Sequence, residues 1–219
     1  FSYPHLRGKE ESNLDELIKI PTMPIRAKPY QHQVRAYEFA CRLFGLEGGG
    51  IKSRGVALLL EMGCGKTLCS VAITGALRRA DKVKRVLVVA PLSILGVWEE
   101  EFSRFADFPH TVTVLKGTSV KKKEQLLTAA VQGKHLQIVV DYESAWRLEN
   151  TLKAYDADLI IADEAHKLKE GRTAQSKAMH HLGDAAQYKL LLTGTVITNK
   201  ELDVFSQYRF LNKAIFGTS

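Results

Sequence analysis

Residues 61–67, Glu-Met-Gly-Cys-Gly-Lys-Thr, gather two glycines, a lysine and a hydroxyl into a few positions. An apolar run at 56–60 precedes them, and apolar residues at helical spacing follow over 66–79. A strand, a glycine-rich turn and a helix start, in that order, suit a bound phosphate. Gly63, Cys64 and Gly65 are small enough for backbone N–H groups to close around phosphate oxygens. The helix start at Lys66, Thr67 and Leu68 adds partial positive charge. Lys66 would reach the β- and γ-phosphates, and the Thr67 hydroxyl would ligate Mg²⁺. The generic pattern asks for a further glycine where Leu60 stands, so by itself the segment also admits a chance Gly-Lys-Thr turn.

A second constellation is Asp163-Glu164-Ala165-His166, directly after the apolar run 159–162. Carboxylates at the carboxyl end of a parallel strand face the ligand crevice. Asp163 would hold Mg²⁺ through water, and Glu164 would orient and polarise an attacking water. His166 would link the γ-phosphate region to a later motif. That motif is Thr193-Gly194-Thr195, which closes another apolar run. Its hydroxyls would sense His166 or the γ-phosphate; the plain alternative is a strand-to-turn exit.

These groups need a scaffold, and the hydropathy pattern supplies one. Apolar runs at 56–60, 86–90, 159–162 and 189–192, with strand patterns at 111–115 and 137–141, alternate with helical segments. The helical segments lie at 31–45, 66–79, 95–105 and 121–132. The runs are continuous rather than alternating, as in parallel strands covered on both faces. The class is therefore α/β, a doubly wound, mainly parallel sheet flanked by helices. Residues 45–55 hold five glycines and read as a flexible loop. Trp98 and Phe102, four apart on a helix, read as core packing rather than a base-stacking platform. Arg78, Arg79, Lys82, Lys84 and Arg85 cluster at a helix-to-strand turn, either on phosphates or merely in solvent.

Composition narrows the class. Of 219 residues, 45% are hydrophobic and 25% charged, an ordinary globular balance. The longest uncharged apolar run, 86–98, contains Pro91 and Gly96 and is too short to span a bilayer. Cys41, Cys64 and Cys69 show no metal-ligand spacing and cannot all pair within the chain, which suits a reduced, intracellular protein. The formal charge of +7 favours a polyanionic partner. Residues 1–24 carry more acids than bases and several prolines, and read as an N-terminal arm or linker.

Taken together, the motifs resemble the first, N-terminal RecA-like lobe of superfamily-two helicases, most of all the Swi/Snf-like DNA-translocating ATPases. Lys28-Pro29-Tyr30-Gln31 is similar to the family's adenine-reading motif, and 61–67 to its phosphate loop, where the family has an acidic residue in place of Leu60. Residues 86–93 with Trp98-Glu99-Glu100-Glu101-Phe102 resemble motif Ia, and 138–143 motif Ib. Residues 163–169 resemble motif II and its trailing lysine. Residues 190–199, with Phe210-Leu211 and Phe216-Gly217, resemble motif III and its following helix. Motif III normally reads Thr-Gly-Thr-Pro with a glutamine before the asparagine; Val196 and Thr198 stand there instead.

The resemblance implies ATP and Mg²⁺ as cofactors, with Gln31 on the adenine edge. Ser93, Tyr142 and Lys169 would lie on a nucleic-acid backbone, and Thr193, Gly194 and Thr195 would couple nucleotide state to closure. It implies an ATP hydrolase moving on duplex DNA. The expected organisation is an arm, 1–24, and one ATP-binding lobe, 25–219. The second lobe would belong to the full-length chain and be absent here, leaving the single lobe poorly active. A monomer without a membrane partner is expected, cytoplasmic in a bacterium or virus and nuclear in a eukaryote. Two other readings stay open: a non-catalytic nucleotide- and nucleic-acid-binding module, and a lobe of an RNA helicase or restriction-type translocase.

Overall fold

Each continuous apolar run becomes a strand because both of its faces are covered. Among the described residues of the computed structural model six strands form: β1 (Gly55–Leu59), β2 (Val86–Ala90), β3 (Thr111–Val114), β4 (Leu136–Asp141), β5 (Leu159–Ala162) and β6 (Tyr188–Thr193). They pair in the order β1-β6-β5-β2-β4-β3, every pair parallel. The structure describes residues 20–61, 63–117, 119–131, 136–168, 173–194 and 201–212, without the side chains of 136, 167 and 201–205. Among these residues eight α-helices flank the sheet: α1 (Gln31–Leu43), α2 (Lys66–Arg79), α3 (Leu95–Phe105), α4 (Val120–Ala130), α5 (Tyr142–Arg147), α6 (Glu149–Tyr155), α7 (Ala174–Ala185) and α8 (Glu201–Leu211).

The two-residue alternation of β2 shows how the layers are made. Val86, Val88 and Ala90 face a core shared with Tyr37 of α1, Ile73 and Leu77 of α2, and Trp98 and Phe102 of α3. Leu87 and Val89 face a second core with Leu127 of α4, Leu152 of α6, Met179 of α7 and Phe210 of α8. Each fully buried side chain of this size contributes about 1.5–3 kcal/mol. The doubly wound reading therefore holds, and Trp98 and Phe102 are core residues, both fully buried. Among the described residues no helix is long and apolar enough to cross a membrane.

Residues 20–26, which straddle the expected boundary at 24/25, lie packed on the lobe. Ile25 bridges Ala106, Arg26 N–H donates to the Phe105 carbonyl at 2.8 Å, and the Tyr37 hydroxyl donates to the Pro21 carbonyl at 2.7 Å. Pro24 and Phe108 close over Gly75, in the middle of α2, so that a Cβ there would stand 2.5–2.6 Å from their side chains. Alanine gains up to about 1 kcal/mol of helix propensity over glycine, but overpacking costs about 1–3 kcal/mol. Gly75→Ala should therefore lower stability by about 1 kcal/mol in denaturant unfolding. A stabilised variant would show that the strap yields freely.

The basic cluster lies where α2 returns to β2, at the sheet edge opposite the glycine-rich turn. Arg78 donates to the carbonyls of Pro109 and Lys84, Arg79 to the carbonyl and carboxylate of Asp107, and Arg85 to the Tyr155 carbonyl. These three arginines fasten turns together, a role outside both sequence readings.

Candidate functional site

β1 delivers the chain to Leu60 and Glu61, and α2 begins at Lys66. Between them Gly63 and Gly65 adopt φ of 79° and 84°, left-handed conformations that glycine takes without a Cβ penalty. Gly65 is also hemmed in, because a Cβ would collide with the Gln33 amide nitrogen. Lys66 is buried, and its ammonium donates to the Leu60 carbonyl at 2.9 Å and the Glu61 carbonyl at 3.3 Å. The cation is thus held at the mouth of the turn, beside the α2 N–H groups. Thr67 is half-buried and Leu68 buried at the same helix start. Cys64 lies between the two glycines, its carbonyl accepting from Gln33 Nε2 at 3.2 Å and His32 Nε2 at 3.1 Å.

Neither contact follows from the spacing of the motifs. Gln31 lies exposed at the first position of α1. Gln33 is the residue that ties α1 to the turn, its carbonyl oxygen accepting from Tyr30 N–H at 2.9 Å. A glutamine at the third helical position is a capping-box signal and was available in the sequence.

β5 ends at Ala162, and the next two residues form a tight turn. Asp163 Oδ1 accepts from Glu164 N–H at 2.8 Å, and Oδ2 accepts from the Trp98 indole N–H at 3.1 Å. The Asp163 carbonyl accepts from the Tyr142 hydroxyl at 2.7 Å. Burial pushes the Asp163 carboxyl above the usual carboxylate range, opposed by its two N–H donors and by the positive charge of Lys66. Lys66 and Asp163, far apart in sequence, both follow strands at the same carboxyl edge of the sheet. Glu164 takes φ 49° and ψ 52°, a left-handed conformation costing a non-glycine residue about 1–2 kcal/mol. Its carboxylate lies 3.1 Å from His166 Nδ1.

Thr193 is fully buried at the end of β6, opposite Leu59 in register. β6 runs between β1 and β5, so Gly194 emerges between the glycine turn and the acidic turn. Thr195, Val196, Thr198 and Lys169 lie outside the described residues, as does Met62 of the glycine turn.

Ser93 is exposed, in the short helical turn Leu92–Ile94 ahead of α3. Tyr142 departs from its expected place on a nucleic-acid surface. It is buried, and its hydroxyl buttresses the acidic turn. Its predecessor Asp141 caps α5 through Ser144 N–H and accepts from Lys123 Nζ at 3.0 Å, a buried ion pair joining α4 to the end of β4.

The geometry therefore concentrates glycine turn, lysine and acidic turn at one carboxyl edge of a parallel sheet, where ligands of open α/β folds bind. Residues 13–219 match the model of the SNF2-related domain. The chain belongs to the SNF2-related domain family. It is 30% identical over 198 residues to an ISWI chromatin-remodeling complex ATPase of Arabidopsis thaliana, covering 89% of this chain and 18% of that protein. It is 29% identical to the DNA repair and recombination protein RAD54 of Oryza sativa, covering 98% of this chain and 22% of that protein. The chain thus spans about a fifth of the length of such relatives. Among solved structures, the Sulfolobus solfataricus SWI2/SNF2 ATPase core in complex with dsDNA superposes with a TM-score of 0.73 at 28% identity. That match covers 93% of this chain and 39% of that one. A structure of the Sulfolobus solfataricus SWI2/SNF2 ATPase core domain gives a TM-score of 0.70 at 28% identity, covering 93% of this chain and 38% of that one. The sheet and its helices are those of the RecA-like Swi2/Snf2 ATPase core.

Mg²⁺ fits the SNF2-related site by the chemistry of its donors. Among the described residues no group of three or more His, Cys, Asp or Glu gathers to hold a metal alone. Mg²⁺ in phosphate sites, however, takes one or two protein oxygens and completes its shell with phosphate and water. Asp163 has one donor on each oxygen, and an ionised carboxylate has about four acceptor positions. Half of its capacity is left for a hydrated cation.

Proposed function

We propose that this chain is the ATP-binding lobe of a DNA-dependent ATPase that converts hydrolysis of the γ-phosphate into movement along duplex DNA. The observation that carries it is the glycine turn with Lys66 and the acidic turn with Asp163 at one carboxyl edge of the sheet, in a member of the SNF2-related family. Similarity to a chromatin-remodeling ATPase, to a DNA repair and recombination protein and to an ATPase core in complex with dsDNA supports duplex DNA as the track. In this reading residues 25–219 form the lobe, and a second lobe and further arginines complete the motor.

The chain's own residues would work by position and charge. The α2 N–H groups and Lys66 hold the phosphates, with Thr67 and Asp163 on the cation. When bound, Mg²⁺ would neutralise charge on the β- and γ-oxygens. Glu164, held in its left-handed turn and paired with His166, orients the attacking water. Ser93 and Lys169 serve the nucleic-acid backbone, and Thr193, Gly194 and Thr195 sense the nucleotide.

Equilibrium binding should show Mg-ATP bound by this chain, and turnover by the full-length protein should rise with duplex DNA. Absence of Mg-ATP binding would overturn the site. Stimulation by single-stranded RNA in preference to duplex DNA would point to an RNA helicase instead.

A further inference from the structure

The indole of Trp98 is fully buried in the core between α2 and α3, yet its N–H leaves that core to reach a carboxylate. A buried indole needs an acceptor, and here the acceptor is Asp163 Oδ2 at 3.1 Å, 65 residues away in sequence. We propose that Trp98 is a positioning residue for the divalent cation. Its N–H fixes the Asp163 carboxylate in the orientation from which it takes the hydrated Mg²⁺ of Mg-ATP. The inference rests on the nucleotide-site reading above.

Three observations support it. First, the terminal torsion of an aspartate is soft, so one donor would leave the carboxylate free to rock. Asp163 has two donors on different oxygens, one from its own turn and one from α3, and together they define the plane. Second, Trp98 cannot follow the carboxylate. Its ring lies against Phe102, centroids 6.2 Å apart, and Leu95, Trp98 and Phe102 anchor α3 as fully buried residues. The carboxylate must therefore follow Trp98. Third, the turn is braced from the opposite core, where the Tyr142 hydroxyl accepts no movement of the Asp163 carbonyl without losing its 2.7 Å bond. The cation's carboxylate is thereby referenced to both layers of the fold.

The test separates orientation from packing. Trp98→Phe removes the N–H together with part of the ring. 3-Benzothienylalanine at position 98 keeps the shape and replaces the N–H by sulfur. Binding of a fluorescent, non-hydrolysable ATP analogue is measured against Mg²⁺ concentration and again in EDTA, alongside thermal unfolding. Both variants should need about tenfold more Mg²⁺ at half-saturation, the usual effect of removing a partner of a metal-binding side chain. Affinity in EDTA should stay at the parent value, which a general loss of packing would not spare. In a Trp146→Phe background the remaining indole, Trp98, should change its emission when Mg²⁺ joins the bound nucleotide. A parent-like Mg²⁺ midpoint in the benzothienylalanine variant would overturn the inference while leaving the nucleotide site intact. Parent binding that is indifferent to Mg²⁺ would overturn both.

Discussion

Lys66→Ala should leave the chain folded and weaken Mg-ATP binding by about a hundredfold or more. The ammonium makes charge-assisted contacts with phosphate, each about 1.5–3 kcal/mol, and two such contacts span two or more decades of affinity. Its present partners are two main-chain carbonyls at the turn, Leu60 and Glu61. Releasing these carbonyls at the mouth of the turn costs little, because water can replace the lost donor. The loss should therefore appear in nucleotide titration and hardly in thermal unfolding. Parent-like affinity for ATP would remove the phosphate-loop assignment altogether.

Glu164→Gln should do the reverse. The replacement is isosteric, can still bond His166, and keeps the left-handed turn. ATP affinity should stay within about twofold of the parent, since Glu164 is not needed to hold the phosphates. DNA-stimulated hydrolysis in the full-length protein should fall by about 10²–10⁴-fold, the usual span for a group that handles the attacking water's proton. A variant that hydrolyses ATP at the parent rate would transfer that role elsewhere, with His166 the nearest candidate.

The strands were legible where burial is two-sided. The runs 86–90 and 159–162 coincide with β2 and β5, all of whose residues are buried. Helices α5 and α6 were not read, because six or seven residues are too few to establish a period. Asp141 with Ser144 offered the only local signal, a capping pair. α7 was also missed: small and polar residues, Ser176, His180 and Gly183, fill much of its buried face, which dilutes the apolar stripe. In the site, local chemistry was readable and distant contacts were not. Spacing alone placed Lys66 at a helix start and Asp163 and Glu164 after a strand, as found. It could not show Trp98 reaching Asp163, or Tyr142 turning inward, because neither contact leaves a periodic trace. The contact of Gln33 with the glycine turn joins residues 31 positions apart and leaves no periodic trace either.

The position of β6 has a mechanical meaning. It is laddered on one side to β1 and on the other to β5, so neither neighbour can slide past it without breaking a full set of hydrogen bonds. The three strands that lead to Glu61, Asp163 and Gly194 are therefore held together as one plate. In the proposed motor, shear within that plate is closed off as a source of movement, and amide exchange should be slow at 190–191, where β6 is paired on both sides.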